Sequence, residues 1–179
     1  MSTVRLRPMR GDDADAVAAL HATSWRSAYR GMLTDQYLDH EVDADRQSVW
    51  RGRLQGPDAA LAFGVVAEDA GGQMMGFAYV MPDHDPEWGT LVDNLHVHPD
   101  AKGGGIGRQL MQAVARELGP GHDRPLFLWV LDANEPAKRF YARMGAEFTD
   151  QGMSTPFGGT SLPKWRCVWR DPSTLLAHA

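Results

Sequence analysis

Residues 95 to 110 read Leu95-His-Val-His-Pro-Asp-Ala-Lys-Gly-Gly-Gly-Ile-Gly-Arg-Gln-Leu110. The segment begins as an apolar strand, breaks at Pro99, crosses a glycine cluster and continues into a one-sided helix through Ile106, Leu110, Met111, Val114 and Leu118. The first backbone N–H groups of such a helix have no internal partner and carry partial positive charge, and glycines let an anion approach them closely. A tight strand-to-helix turn without a ligand is the structural alternative, at the entropic cost of three consecutive glycines. Two familiar phosphate loops fail on spacing. Gly-x4-Gly-Lys-Ser/Thr does not occur, and a dinucleotide fingerprint started at Gly103 or Gly105 meets Arg108 or Leu110 where it needs glycine. What remains is Lys102-x-x-Gly105-x-Gly107.

Upstream, Val4 to Arg7 reads as a short strand, followed by an acidic helix start at Gly11-Asp12-Asp13 and a helix that ends near Gly31. A second helix is expected from Asp43 to Leu54, stopped by Gly56-Pro57. Ala60 to Glu68 and Met74 to Met81 form a hairpin around a Gly-containing loop, Pro82 to Gly89 a polar loop, and Thr90 to Val97 another strand. Downstream come a strand from Leu126 to Leu131, a helix opened by Pro136 and ended by Gly145, and strands near 146–149 and 164–169. Hairpins and strand-helix-strand units together predict one α/β domain over residues 1–179 with mixed strand order.

The 179 residues are 43% hydrophobic and 23% charged, ordinary for a globular chain. The net charge of −5 disfavours nucleic acid and anionic membranes as partners and would draw a cationic substrate weakly. The single cysteine, Cys167, excludes an internal disulfide framework and a thiolate-rich zinc site. The N-terminus does not read as a secretory signal, and the expected location is cytoplasmic.

The Lys102-x-x-Gly105-x-Gly107 loop resembles the pyrophosphate loop of the GNAT superfamily, the coenzyme A-dependent N-acetyltransferases, which usually read Gln/Arg-x-x-Gly-x-Gly/Ala. A second segment, Asn134-Glu-Pro-Ala137-Lys-Arg-Phe140-Tyr141-Ala-Arg-Met-Gly145-Ala-Glu-Phe148, is similar to the family's later hallmark. There an Asn precedes a helix with adjacent aromatics, then Gly and Phe; here Ala146-Glu147 separates the last two. Trp25-Arg-Ser-Ala-Tyr29-Arg-Gly31 looks like the first helix of many bacterial members. The resemblance implies a mixed central sheet of about six to seven strands flanked by about four helices.

It also implies acetyl-coenzyme A as acyl donor, no metal, and direct transfer to a small-molecule or peptide amine. Backbone groups of Leu95, His96 and Val97 would hold the pantetheine arm. The loop Lys102, Gly103, Gly104, Gly105, Ile106, Gly107 and Arg108 would hold the pyrophosphate, with Lys102 supplying charge but not the bidentate geometry of Arg. Asn134 would face the cofactor arm or cap the following helix. Tyr141 would donate to the departing thiolate. An alkylammonium near pKa ~10.4 cannot pass its proton directly to an ordinary Asp near ~3.9, a step uphill by about 9 kcal/mol. Asp93, His96 and the more remote Glu87 stand open as bases. Strand alternation separates Asp93 and His96 onto opposite faces unless a bulge intervenes. Trp25, Tyr29 and Trp50 are candidates for the acceptor wall. His96-x-His98 is a two-ligand pattern without a third ligand at motif spacing. A homodimer is compatible with this reading. The competing function is a catalytically silent coenzyme A-binding sensor or partner module, kept open by Leu91, where many relatives carry Glu.

Overall fold

The computed structural model describes residues 4–155 and 158–177. Seven strands form one sheet: β1 (Arg5–Pro8), β2 (Phe63–Glu68), β3 (Met74–Asp85), β4 (Gly89–Val97), β5 (Leu126–Leu131), β6 (Glu147–Met153) and β7 (Pro163–Trp169). Four α-helices flank it: α1 (Ala14–Ala28), α2 (Val42–Gln55), α3 (Ile106–Leu118) and α4 (Glu135–Arg143). The strand order is β1-β2-β3-β4-β5-β7-β6. Every neighbouring pair is antiparallel except β4 and β5. This is the mixed sheet with four helices that the resemblance implied. Among the described residues no helix is long and apolar enough to cross a membrane.

The two faces of the sheet bury different helices. Val65, Ala67, Ala78, Val80, Val92, Leu128 and Cys167 meet α3 through Ile106, Leu110, Met111 and Val114. Those α3 positions recur at helical spacing on one side, as the sequence suggested. Tyr141 of α4 joins this core, and Trp169 Nε1 donates to Met144 O at 2.8 Å. On the opposite face Val66, Phe77 and Tyr79 pack against Val17, Leu20 and Trp50 of α1 and α2. Trp25 packs with Tyr37, Leu38 and Val42, next to a wide π-type turn at Tyr37–Glu41 that the sequence did not announce.

Two stretches depart from the sequence reading. Pro82 to Gly89 was expected as a loop, yet β3 runs on to Asp85, which pairs with Gly89. The turn between them is held by the Asp85 carboxylate, which accepts from Glu87 N–H at 2.8 Å and Trp88 N–H at 2.9 Å. That local side-chain turn lets polar residues extend a hairpin. The strand expected near 146–149 continues to Met153, because β7 offers a partner along its whole length.

The first helix is anchored through charge. Arg7 on β1 donates twice to Asp13 at 2.8 Å and through Nε to Glu68 at 2.7 Å, while Asp13 also accepts from Arg10 N–H. Burial pushes the Asp13 carboxyl up, but Arg7 and the Arg10 amide outweigh it and hold it below its usual range. Hydrogen bonds from Arg7 and then Arg5 hold Glu68 down at about 2. Both shifts are downward, so the stability they contribute is present above the ordinary carboxylate range and is lost as pH falls from about 4.5 to about 2. Arg7→Met should therefore lower the melting temperature by at least about 2 °C near neutrality. The gap to the unsubstituted chain should close through that acid window. Melting curves from pH 7 to pH 2 check this, and a gap constant with pH would show that Arg7 acts by packing alone.

Candidate active site

The parallel pairing of β4 with β5 is short: Thr90 opposes Leu126 and Leu91 opposes Phe127, and no further pair follows. Beyond Leu91, β5 stays with β7 while β4 stays with β3, so the strands part. The parting opens a cleft of about 520 Å³ through the sheet. Its walls include Asp93 to Val97 on one strand, Leu128 to Leu131 on the other, and the start of α3 at one end.

The start of α3 is shaped by backbone conformation. Gly103 and Gly105 take φ of +82° and +81°, a region that disfavours side chains, and Gly105 is the N-cap of α3. Gly107 serves a different purpose: a Cβ there would stand 3.2 Å from Phe140 Cζ, so its bareness lets α4 close on the first turn of α3. The loop before it is ordered by a short 3₁₀ turn at Pro99–Ala101, in which His98 Nδ1 accepts from Asp100 N–H at 3.3 Å. His98 thus has a capping contact, and among the described residues no three His, Cys, Asp or Glu are grouped to hold a metal. Lys102, Gly103, Gly105, Ile106, Gly107 and Arg108 all border the cleft; Gly104 does not. The left-handed glycines and the unshared amides of the first helical turn fit a diphosphate.

The structure brings Asp93 and His96 to one face, against simple alternation. Tyr79 opposes Asn94 while Val80 opposes Val92, so Asp93 is the extra residue of a β-bulge. Asp93 now shares the α1/α2 face with Asn94 and His96. The bulge was invisible in the sequence because it is imposed by the register with β3. Arg53 of α2 lies 2.6 Å from Asp93 Oδ2, and Asn94 Nδ2 donates to the same atom at 2.6 Å.

His96 is held from several sides. Its Nδ1 lies 2.9 Å from Ser24 Oγ, its ring stacks 4.3 Å from that of His21, and Phe77 flanks it at 5.4 Å. Burial, then the charges of Lys102 and Arg46, depress its pKa to about 3. His21 behind it accepts from Trp50 Nε1 at 2.9 Å and is pushed below its usual value by burial first. These two histidines are neutral near pH 7. Ser24 and His21 were missed as site residues; their helical spacing with Leu20 disguised them as an ordinary buried face.

The remaining candidates divide. Tyr141 borders the cleft, packs edge-on to Phe140 at 5.2 Å, and has its phenol pushed well above the usual value by burial. Tyr29 also lines the cleft, its phenol raised by burial to about 12. Trp25 does not line it: the ring is buried against Tyr37 and Val42, with Arg46 stacked 4.5 Å away. Trp50 is fully buried beneath α1. Both large apolar rings gain more from the core than from a cleft wall. Glu87 sits in the turn at the opposite end of β4, outside the cleft. Asn134 caps α4 by accepting from Ala137 N–H at 3.3 Å and borders the cleft as well. Leu91 is buried against Phe127 and Val168, and an ionised Glu there would face an apolar cluster.

Comparison with known proteins agrees with this geometry. The acetyltransferase (GNAT) family profile matches residues 17–146. The streptothricin acetyltransferase of Streptomyces lavendulae is 33% identical over 82% of this chain and 83% of its own. A GCN5-related N-acetyltransferase from Rhodopseudomonas palustris superposes with a TM-score of 0.72 at 25% identity, over 94% of this chain and 96% of that one. The PaiA N-acetyltransferase of Thermoplasma acidophilum, solved with coenzyme A, has the same fold at 16% identity, with a TM-score of 0.71 over 91% and 98% of the two chains. With a family profile spanning most of the chain and a relative one-third identical, this protein belongs to the acetyltransferase (GNAT) family, the acetyl-coenzyme A-dependent N-acetyltransferases.

Proposed function

We propose that this chain transfers an acetyl group from acetyl-coenzyme A to a primary amine in the cleft between β4 and β5. The observation that carries the reading is the parting of the two strands after Leu91, with the first turn of α3 at the mouth of the gap. The unshared edge of β4 from Leu95 to Val97 offers N–H and C=O groups to the amides of the pantetheine arm. Gly103 to Arg108 receive the diphosphate, and Lys102 adds a charge beside it. When bound, the thioester supplies an activated acetyl group.

The chain's own groups set how the proton moves. His96 at about 3 is a poor acceptor for a proton from an alkylammonium, and the Asp93 carboxylate is engaged with Arg53 and Asn94. The site therefore works on the neutral amine, with the proton leaving through solvent. His96 stays uncharged and orients the nucleophile by hydrogen bonding. Tyr141, whose phenol holds its proton tightly, donates a hydrogen bond to the sulfur as charge develops there. Tyr29 closes the cleft on the acceptor side.

Three outcomes test these assignments. Saturating coenzyme A, at 100 times its dissociation constant, should stabilise the chain by about 2.7 kcal/mol in thermal melts. Gly105→Val should remove that shift, since valine resists a φ of +81°. An unchanged melting temperature with millimolar coenzyme A in the unsubstituted protein would sink the cofactor assignment.

Between pH 5 and 8, log kcat/KM for an alkylamine should rise in proportion to the neutral fraction, about tenfold per pH unit. His96, depressed to about 3, contributes no inflection in that range. An inflection near pH 6.5 that vanishes in His96→Gln would make His96 the base instead.

Tyr141→Phe should lower kcat at least tenfold while leaving coenzyme A affinity and the melting temperature nearly unchanged. A kcat that is unaltered where chemistry limits turnover would return Tyr141 to a packing role with Phe140 and Trp169.

A further inference from the structure

The half of the sheet that α1 and α2 leave bare carries a stack of alternating rings and cations. Lys164 and Arg166 of β7 lie on the same face as Trp129 of β5, which is paired with Arg166 in the register. The Arg166 guanidinium stands 4.2 Å from the Trp88 ring centre and 4.6 Å from that of Trp129, and Lys164 Nζ stands 4.1 Å from the Trp129 ring. Gly152 of β6 lies against the indole, where a Cβ would stand at an ordinary contact distance, 3.6 Å, from its Cη2 atom. Trp129 and Asp93 both line the cleft, so this stack adjoins the candidate active site.

The cations in this row are not equally matched. Arg53 pairs with Asp93, and Arg166 with Asp150. Among the described residues no carboxylate comes within 4 Å of Lys164 Nζ. Its ammonium is half-buried, and burial and then the neighbouring Arg166 make the charged form less favourable, with Asp93 offsetting part of this. A desolvated ammonium with spare donors beside a second cation gains from a compact anion.

We propose that the acceptor is an amino acid or an amine of that type, whose carboxylate binds Lys164 over the Trp129 ring while its amino group enters the cleft beside His96. This deepens the acetyl-transfer reading and rests on it. It also qualifies the expectation from net charge: in a chain at −5, Lys164 is a cation with no carboxylate within 4 Å among the described residues, stacked on a ring that lines the cleft.

Matched acceptors test the idea. Phenylalanine against phenethylamine, lysine against cadaverine, and O-phosphoethanolamine against ethanolamine are compared per neutral amine by release of free thiol. The carboxylated members should show kcat/KM at least tenfold higher than their partners. Lys164→Met, which keeps an apolar stem on the indole, should bring the ratio close to one, and Lys164→Arg should restore most of it. A ratio near one in the unsubstituted protein, a gain only with the phosphorylated amine, or a ratio unaffected by Lys164→Met would overturn the proposal. Binding is read separately by calorimetry in the presence of coenzyme A, with N-acetylphenylalanine against N-acetylphenethylamine. Tighter binding of the carboxylate that Lys164→Met removes supports the subsite even if no amine turns over, an outcome that would count against the acetyl-transfer reading alone. Equal affinities would count against the subsite, whatever the turnover.

Discussion

Everything at the candidate site depends on two strands that agree to pair for only two residues. A backbone N–H or C=O at the edge of a strand needs a partner, and an open edge inside a sheet is costly unless water or a ligand supplies one. After Leu91 and Phe127, β4 and β5 each keep their outer neighbour and leave the edge between them unshared. That gap accounts for the cleft and for its passage between the two faces of the sheet. It also places the first turn of α3 at the entrance, because α3 is the connection from β4 to β5. An extended ligand with amides along its length and a diphosphate at one end meets both needs of this architecture.

The electrostatics of the cleft follow from where the helices are laid. Burying α1 and α2 over β3 and β4 puts His21 and His96 in contact, out of water and near Arg46. Charging either ring there would cost desolvation and repulsion together. The same helices bring Arg53 onto Asp93, turning the most attractive base in the strand into half of an ion pair. In the proposed reading neither His96 nor Asp93 takes up the amine's proton. Neutral His96 and Ser24 stand in the same cleft as the charged Lys102 and Arg108, and in the proposed reading they orient a nucleophile that arrives already deprotonated. Tyr141 belongs to this pattern, since its burial favours donation over proton release.

The far half of that face tells a complementary story. There Trp129, Arg166 and Lys164 stack on one another, so rings and long side chains shield the sheet themselves. Arg166 is ion-paired with Asp150 and sandwiched between two indoles, which gives it a stabilising role within the stack. Lys164 stands over one indole, and among the described residues no carboxylate comes within 4 Å of its Nζ, although Asp93 acts on it from farther off.

The sequence by itself determined most of the elements and the glycine loop that opens α3. Apolar periodicity located α3 and β5 at their observed bounds, and three glycines followed by a one-sided helix identified the mouth of the site. Those signals are local: they depend on backbone conformation and on spacing within one element. Asn134 illustrates the boundary, because a cap before Pro136 is a local feature and appears as such. The tertiary structure decided what depends on register and on which faces meet. The bulge that turns Asp93 toward His96 exists only in the pairing of β4 with β3. The Ser24 and His21 contacts arise only when α1 is laid on that face, and Trp25 is withdrawn from the cleft by its packing with the turn at Tyr37–Glu41. Lys164 and Trp129 lie 35 residues apart in the chain and meet because β5 and β7 are neighbours. Side chains that come together across strands leave no periodic trace in the sequence, because their meeting depends on register and strand order.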